Sequence, residues 1–144
     1  MASRVARDAH DTGVPGEVDT AGTLTVQRSD DAGGSVTVVR LEGEHDLPTV
    51  ATVEEAFANA PAADALVADL SSCAFIDSSI IRALVRVHQS RARFAVALST
   101  DASAPIPRIL EITQLRHVLN CFESIEAAQA GALVGDESRA PRTR

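Results

Sequence analysis

Apolar residues alternate with polar ones at Leu24 and Val26, and β-branched and leucine positions resume at Val36, Val38, Val39 and Leu41 beyond Asp30-Asp31-Ala32-Gly33-Gly34. A period of two on both sides of a glycine-rich turn predicts two strands joined as a β-hairpin. The period then lengthens. From Leu47 to Ala60, Val50, Val53 and Phe57 recur at helical spacing, and Asn59 and Pro61 close the segment. Ala65-Leu66-Val67-Ala68-Asp69-Leu70 is an apolar run of strand length, and Ala74-Phe75-Ile76 is a second strand-like run that stops at Asp77-Ser78-Ser79. Beyond that stop, Ile81, Leu84, Val85, His88 and Ala92 form one stripe of a helix over 78–92. Phe94-Ala95-Val96-Ala97-Leu98 reads as a buried strand. Pro105 to Thr113 reads as a helix with proline in its first turn, as a helix start tolerates. Val118 to Phe122 predicts a short edge strand, and Ser124 opens a last helix through Ile125, Ala128 and Leu133, with Glu126 in its first turn.

The order β-β-α-β-α-β-α-β-α makes the helix-linked strands parallel and the first pair antiparallel. The fold class is therefore α/β: a mixed sheet of four to five strands packed by about four helices and beginning with a hairpin. Residues 1–21 and 135–144 carry no hydrophobic period and are expected to be disordered extensions of a domain over 22–134. At 144 residues and 45% hydrophobic content, one core forms without help from disulfides or metal. No apolar run approaches the roughly 20 residues that span a bilayer. The charged start Met1-Ala2-Ser3-Arg4 leads into no apolar leader segment, so a cytoplasmic protein without membrane insertion is expected.

Charge and residue usage narrow the chemistry. A net charge of −7 without tryptophan or tyrosine argues against nucleic acid, which requires a clustered cationic face and stacking platforms. All 13 basic residues are arginine, which excludes a lysine base or Schiff base. Arg82, Arg86, Arg91 and Arg93 read as the solvated side of a helix and its exit. His10, His45, His88 and His117 fall in no metal-ligand pattern, and Cys73 and Cys121 are too few and too distant for a zinc or CxxC site. No metal or cofactor is expected. A serine hydrolase built on Ser78 or Ser79 with His45 lacks the Gly-x-Ser-x-Gly elbow, because 73–80 contains no glycine.

What remains is a helix start. The first N–H groups of a helix are unsatisfied and its dipole is positive there, so Asp77-Ser78-Ser79 is either a cap or a place for phosphate. Asp46, after the acidic pair Glu42 and Glu44, offers a similar choice between helix cap and ligand rim.

Four segments in register resemble the successive signatures of STAS domains, most closely bacterial anti-sigma factor antagonists. They are Leu41-Glu42-Gly43-Glu44-His45-Asp46, Asp69-Leu70-Ser71, Phe75-Ile76-Asp77-Ser78-Ser79 and Arg108-Ile109-Leu110-Glu111-Ile112-Thr113-Gln114-Leu115. The resemblance implies a non-enzymatic binding protein. Its partner is an anti-sigma factor that is also a serine kinase, and that partner phosphorylates the serine after the motif aspartate, here Ser78 rather than Ser79. It further implies partner switching: the unphosphorylated antagonist occupies the anti-sigma factor, the phosphorylated form releases it, and a serine phosphatase resets the cycle. Asp46, Asp77, Ser79, Ile80 and Arg82 then fall on the partner-binding surface. Ile80-Ile81-Arg82 departs from the family's usual Gly-Leu-Gly, and Ile80 is either a core residue or an exposed apolar contact. That departure favours the alternative of a STAS scaffold or transporter-associated module that is never phosphorylated.

Overall fold

The computed structural model describes residues 22–31, 33–101 and 104–134; the expectations for 1–21 and 135–144 fall outside them. The chain runs β1 (Thr23–Asp31), β2 (Gly34–His45), α1 (Leu47–Ala58), β3 (Ala65–Asp69), β4 (Cys73–Ile76), α2 (Ser78–Ser90), β5 (Phe94–Ala97), α3 (Pro105–Ile112), β6 (Cys121–Phe122) and α4 (Ile125–Val134). The hairpin and the four helices lie where periodicity places them. Among the described residues the sheet holds six strands where four to five are expected, because Cys73–Ile76 pairs separately from β3.

The reason lies in β2. Its first half, Val36 to Arg40, pairs in parallel with β3, and its last residues, Gly43 to His45, pair in parallel with β4 across a register shift at Gly43 and Glu44. Gly43 sits at φ 81°, a backbone setting that strains any side-chain-bearing residue, and so supplies the bend that lets one strand serve two neighbours. Along the main path the order is β1-β2-β3-β5-β6, antiparallel only between β1 and β2.

Alternation sorts the strands into two layers. Leu24, Val39, Leu41, Leu66, Ala68, Phe94 and Val96 point toward α1, α2 and α3 and form the larger core. Phe94 anchors it, with the rings of Phe57 and His88 edge-on at 6.3 and 6.4 Å. The opposite face, with Ala65, Val67, Ala95 and Ala97, is covered by α4 through Ala128 and Ala132. The buried stripe of α2 is Ile80, Ala83, Leu84 and His88, with Ile81 and Val85 at its margin. It is rotated from the expected one by the burial of Ile80 and Ala83, and Ala83 lines a cleft shared with Glu54, Phe57 and Ala58 of α1. Ala92 lies past the end of the helix and is exposed.

Candidate functional site

The site is a corner where two helix starts meet. Strand β2 ends at His45, Asp46 turns the chain in an extended conformation, and α1 begins at Leu47. Strand β4 ends at Ile76, Asp77 turns likewise, and α2 begins at Ser78. Because β2 and β4 are parallel neighbours, with His45 opposite Ile76, the two turns lie side by side.

Asp77 joins them. Its Oδ1 accepts from the backbone N–H of Ser79 at 3.0 Å, from the backbone N–H of Ile80 at 3.2 Å and from the Ser79 hydroxyl at 2.6 Å. Its Oδ2 accepts from the Leu47 N–H at 3.0 Å. One carboxylate thus serves orphan donors at the N-termini of two helices. The Ser79 hydroxyl first, then the backbone donors, hold the Asp77 carboxyl below the ordinary carboxylate value, so it is ionised at neutral pH.

The two serines differ. Ser79 is half-buried and its hydroxyl is given to Asp77, whereas Ser78 is exposed at the first helical position and its hydroxyl has no hydrogen bond among the described residues. Arg82, one turn further along the same helix, is exposed and carries no ion pair among the described residues. Ile80 is 0% exposed and lies in the main core, so the apolar contact expected of it as a partner-binding residue is corrected: its side chain offers no surface to a partner.

Asp46 occupies the N-cap position of α1, half-buried; its N–H donates to the Thr49 hydroxyl at 3.1 Å and its carbonyl accepts the Thr49 N–H at 2.9 Å. Of the two acids before it, Glu42 lies 3.5 Å from Arg40 and Glu44 is exposed. His45 is buried beneath this corner, with Nε2 3.1 and 3.2 Å from the carbonyls of Thr23 and Glu42 and Nδ1 3.3 Å from the Thr49 hydroxyl. The carbonyls require the proton on Nε2, and burial lowers the His45 pKa. Its ring is committed to backbone and to Thr49 and is not aimed at either serine, so the hydrolase constellation does not assemble.

Two residues outside the expected set border the corner. Leu47, 67% exposed, opens α1 directly over the Asp77 carboxylate, and Phe75, 41% exposed, stands on β4 opposite Glu44. Sequence pattern absorbs both into predicted elements; only exposure distinguishes them from core. No group of His, Cys, Asp and Glu among the described residues is arranged to hold a metal ion, and none of the described helices is long and apolar enough to cross a membrane.

The fold and the paired helix starts define a small α/β domain of a recognisable class. The STAS domain family matches residues 23–128, and the chain belongs to it. Among solved structures it is similar to an anti-sigma factor antagonist from Mycobacterium paratuberculosis, with 27% identity over 73% of this chain and 90% of that one and a TM-score of 0.58. It also shares its fold with a protein from Thermotoga maritima provisionally described as an anti-sigma factor antagonist, with 17% identity over 72% of this chain and 90% of that one and a TM-score of 0.50. No curated protein sequence matches the chain.

Proposed function

We propose that this protein is an anti-sigma factor antagonist, active by binding rather than catalysis, that engages an anti-sigma factor serine kinase and is switched off by phosphate on Ser78. The observation that carries the reading is the contrast between the serines: Ser78 presents a free, exposed hydroxyl at a helix start, and Ser79 does not. The similarity to the Mycobacterium paratuberculosis antagonist supplies the class of partner.

The charge argument completes it. A phosphate adds about −1.5 to −2 charges and would face outward, since Asp77 already occupies the N–H groups of Ser79 and Ile80. The added charge lands on the corner that also exposes Leu47 and Phe75, a surface that a partner must desolvate. Arg82 is the nearby cation able to pair with it within the helix. The fold has no reason to change; the interface does. Asp46, Asp77 and Arg82 belong to that contact surface, the partner supplies ATP and the catalytic base, and a serine phosphatase restores the hydroxyl. Binding in the cytoplasm then governs sigma-factor-dependent transcription by partner switching.

The test is phosphosite mapping of the protein recovered from its host, joined to calorimetry of the unmodified protein and Ser78→Asp against an anti-sigma factor of that host. Phosphate on Ser78 and weaker binding of a normally folded Ser78→Asp are expected. A scaffold that binds constitutively predicts no phosphate and equal affinities, and that result would end the switch reading.

A further inference from the structure

Two serines stand side by side at one helix start, and a kinase must choose between them. We infer that Asp77 makes the choice: by holding the Ser79 hydroxyl, it withdraws that oxygen and leaves Ser78 as the acceptor for phosphoryl transfer. The inference rests on the phosphoacceptor reading above and names the residue that determines its specificity.

Transfer requires a serine oxygen to bond to the γ-phosphorus of ATP while the bond to the departing ADP breaks, with the serine proton passing to a base on the kinase. The Ser79 oxygen is poorly placed for this. Its proton is directed at Asp77 Oδ1 at 2.6 Å, a charge-assisted contact of the strong class, and its side chain is half-buried against the cap. To meet a phosphorus, Ser79 must rotate away and strip the carboxylate of a donor. Ser78 gives up no such bond.

The same 2.6 Å contact permits the opposite reading, in which Asp77 is a base that activates Ser79. The surroundings of the carboxylate argue against it. Four donors converge on Asp77, from Ser79 N–H, Ser79 O–H, Ile80 N–H and Leu47 N–H, and each stabilises the ionised form. A carboxylate so satisfied, with its proton affinity lowered, is a weak acceptor for a serine proton. Asp77 is therefore a positioning residue, acting through Ser79.

The experiment uses the full chain, γ-labelled ATP and clarified extract of the host as the source of kinase, with the phosphosite read by mass spectrometry. Wild type should be labelled on Ser78 and Ser78→Ala should lose the label. In the Ser78→Ala background, Asp77→Gly removes the acceptor while glycine remains a tolerable cap, and label should return on Ser79. Release of a charge-assisted hydrogen bond corresponds to roughly a ten- to hundred-fold gain over Ser78→Ala alone. Asp77→Asn, which keeps a capping oxygen without the charge, should give an intermediate gain, and circular dichroism verifies that both variants fold. A kinase-free measurement accompanies it: in wild type, NMR should detect a slowly exchanging hydroxyl proton on Ser79 and none on Ser78. Efficient labelling of Ser79 in Ser78→Ala that disappears with Asp77→Gly would overturn the inference and make Asp77 a base. A fast-exchanging Ser79 proton would overturn it too. A protected Ser79 proton with no label on any variant would instead defeat the phosphoacceptor reading beneath it.

Discussion

Replacing Ile80 by alanine separates a core residue from a contact residue within the same motif. Ile80 is 0% exposed in the cluster that holds Ile76, Leu84 and Phe94. The change deletes three carbon atoms, which at about 0.8 kcal/mol for each buried methylene amounts to roughly 2.4 kcal/mol of lost transfer energy. Incomplete collapse of the resulting cavity adds to this, so a total near 3–4 kcal/mol is expected, within the usual range of about 2–5 for such truncations. Against a domain stability of about 5–15 kcal/mol, that is a large fraction. For a domain of this size the corresponding fall in melting temperature is roughly 10–20 °C. The chain has no tryptophan or tyrosine, so the assay is far-UV circular dichroism in urea and on heating, with exposed Arg82→Ala as the control expected within about ±0.5 kcal/mol. A loss below about 1 kcal/mol would refute the burial argument. Unchanged stability with weakened partner binding would return Ile80 to the surface.

Four further outcomes concern other groups of the fold. His45 has a folded pKa below its ordinary 6.5, so the unfolded chain takes up that proton first; its contribution is complete above pH 6.5 and declines as the pH falls below it. Melting temperature measured from pH 8 to 5 should therefore drop on the acid side, and His45→Gln should flatten that drop. Asp77 shifts the same way at lower pH, with stability present above its ordinary 3.8 and lost as the pH falls through the depressed folded value. Burial pushes the Cys73 thiol up to about 11 and the Cys121 thiol up to about 12, so neither should react with a disulfide reagent at pH 8 until urea unfolds the protein; stoichiometric labelling of the native chain would contradict this. At Gly131 in α4, an added Cβ would meet the Phe122 ring. Alanine's helix preference favours Gly131→Ala by about 1 kcal/mol, but overpacking costs about 1–3, so urea denaturation should show net destabilisation.

The elements most legible from sequence are those whose partners are local. The β1–β2 hairpin follows from alternation and a glycine turn, and α1 from Val50, Val53 and Phe57, because neighbours along the chain define both. The strand-like run at β4 was legible, but its separate place in the sheet was hidden, because its four residues acquire their pairing from the far end of β2, roughly thirty residues earlier. The small rotation of the α2 stripe, burying Ile80 beside Ala83, depends on how the helix packs in the main core, which no single helix encodes. The corner of the two helix starts was half visible. Asp77 as a cap could be read from its position before a helical stripe, but its bond to the Leu47 N–H could not, since it requires β2 and β4 to lie side by side.

That bond bears on when the protein becomes competent. Leu47 and Asp77 are thirty residues apart, and they meet only after the last turn of β2 has aligned with β4 and both following helices have started. Closing so long a loop has an entropic cost that local helix formation does not meet, so the corner cannot form from local structure alone. A nascent or partly unfolded chain would carry the Asp-Ser-Ser sequence without the corner that positions it. Under the function proposed above, a damaged copy then cannot compete with an intact one for the partner.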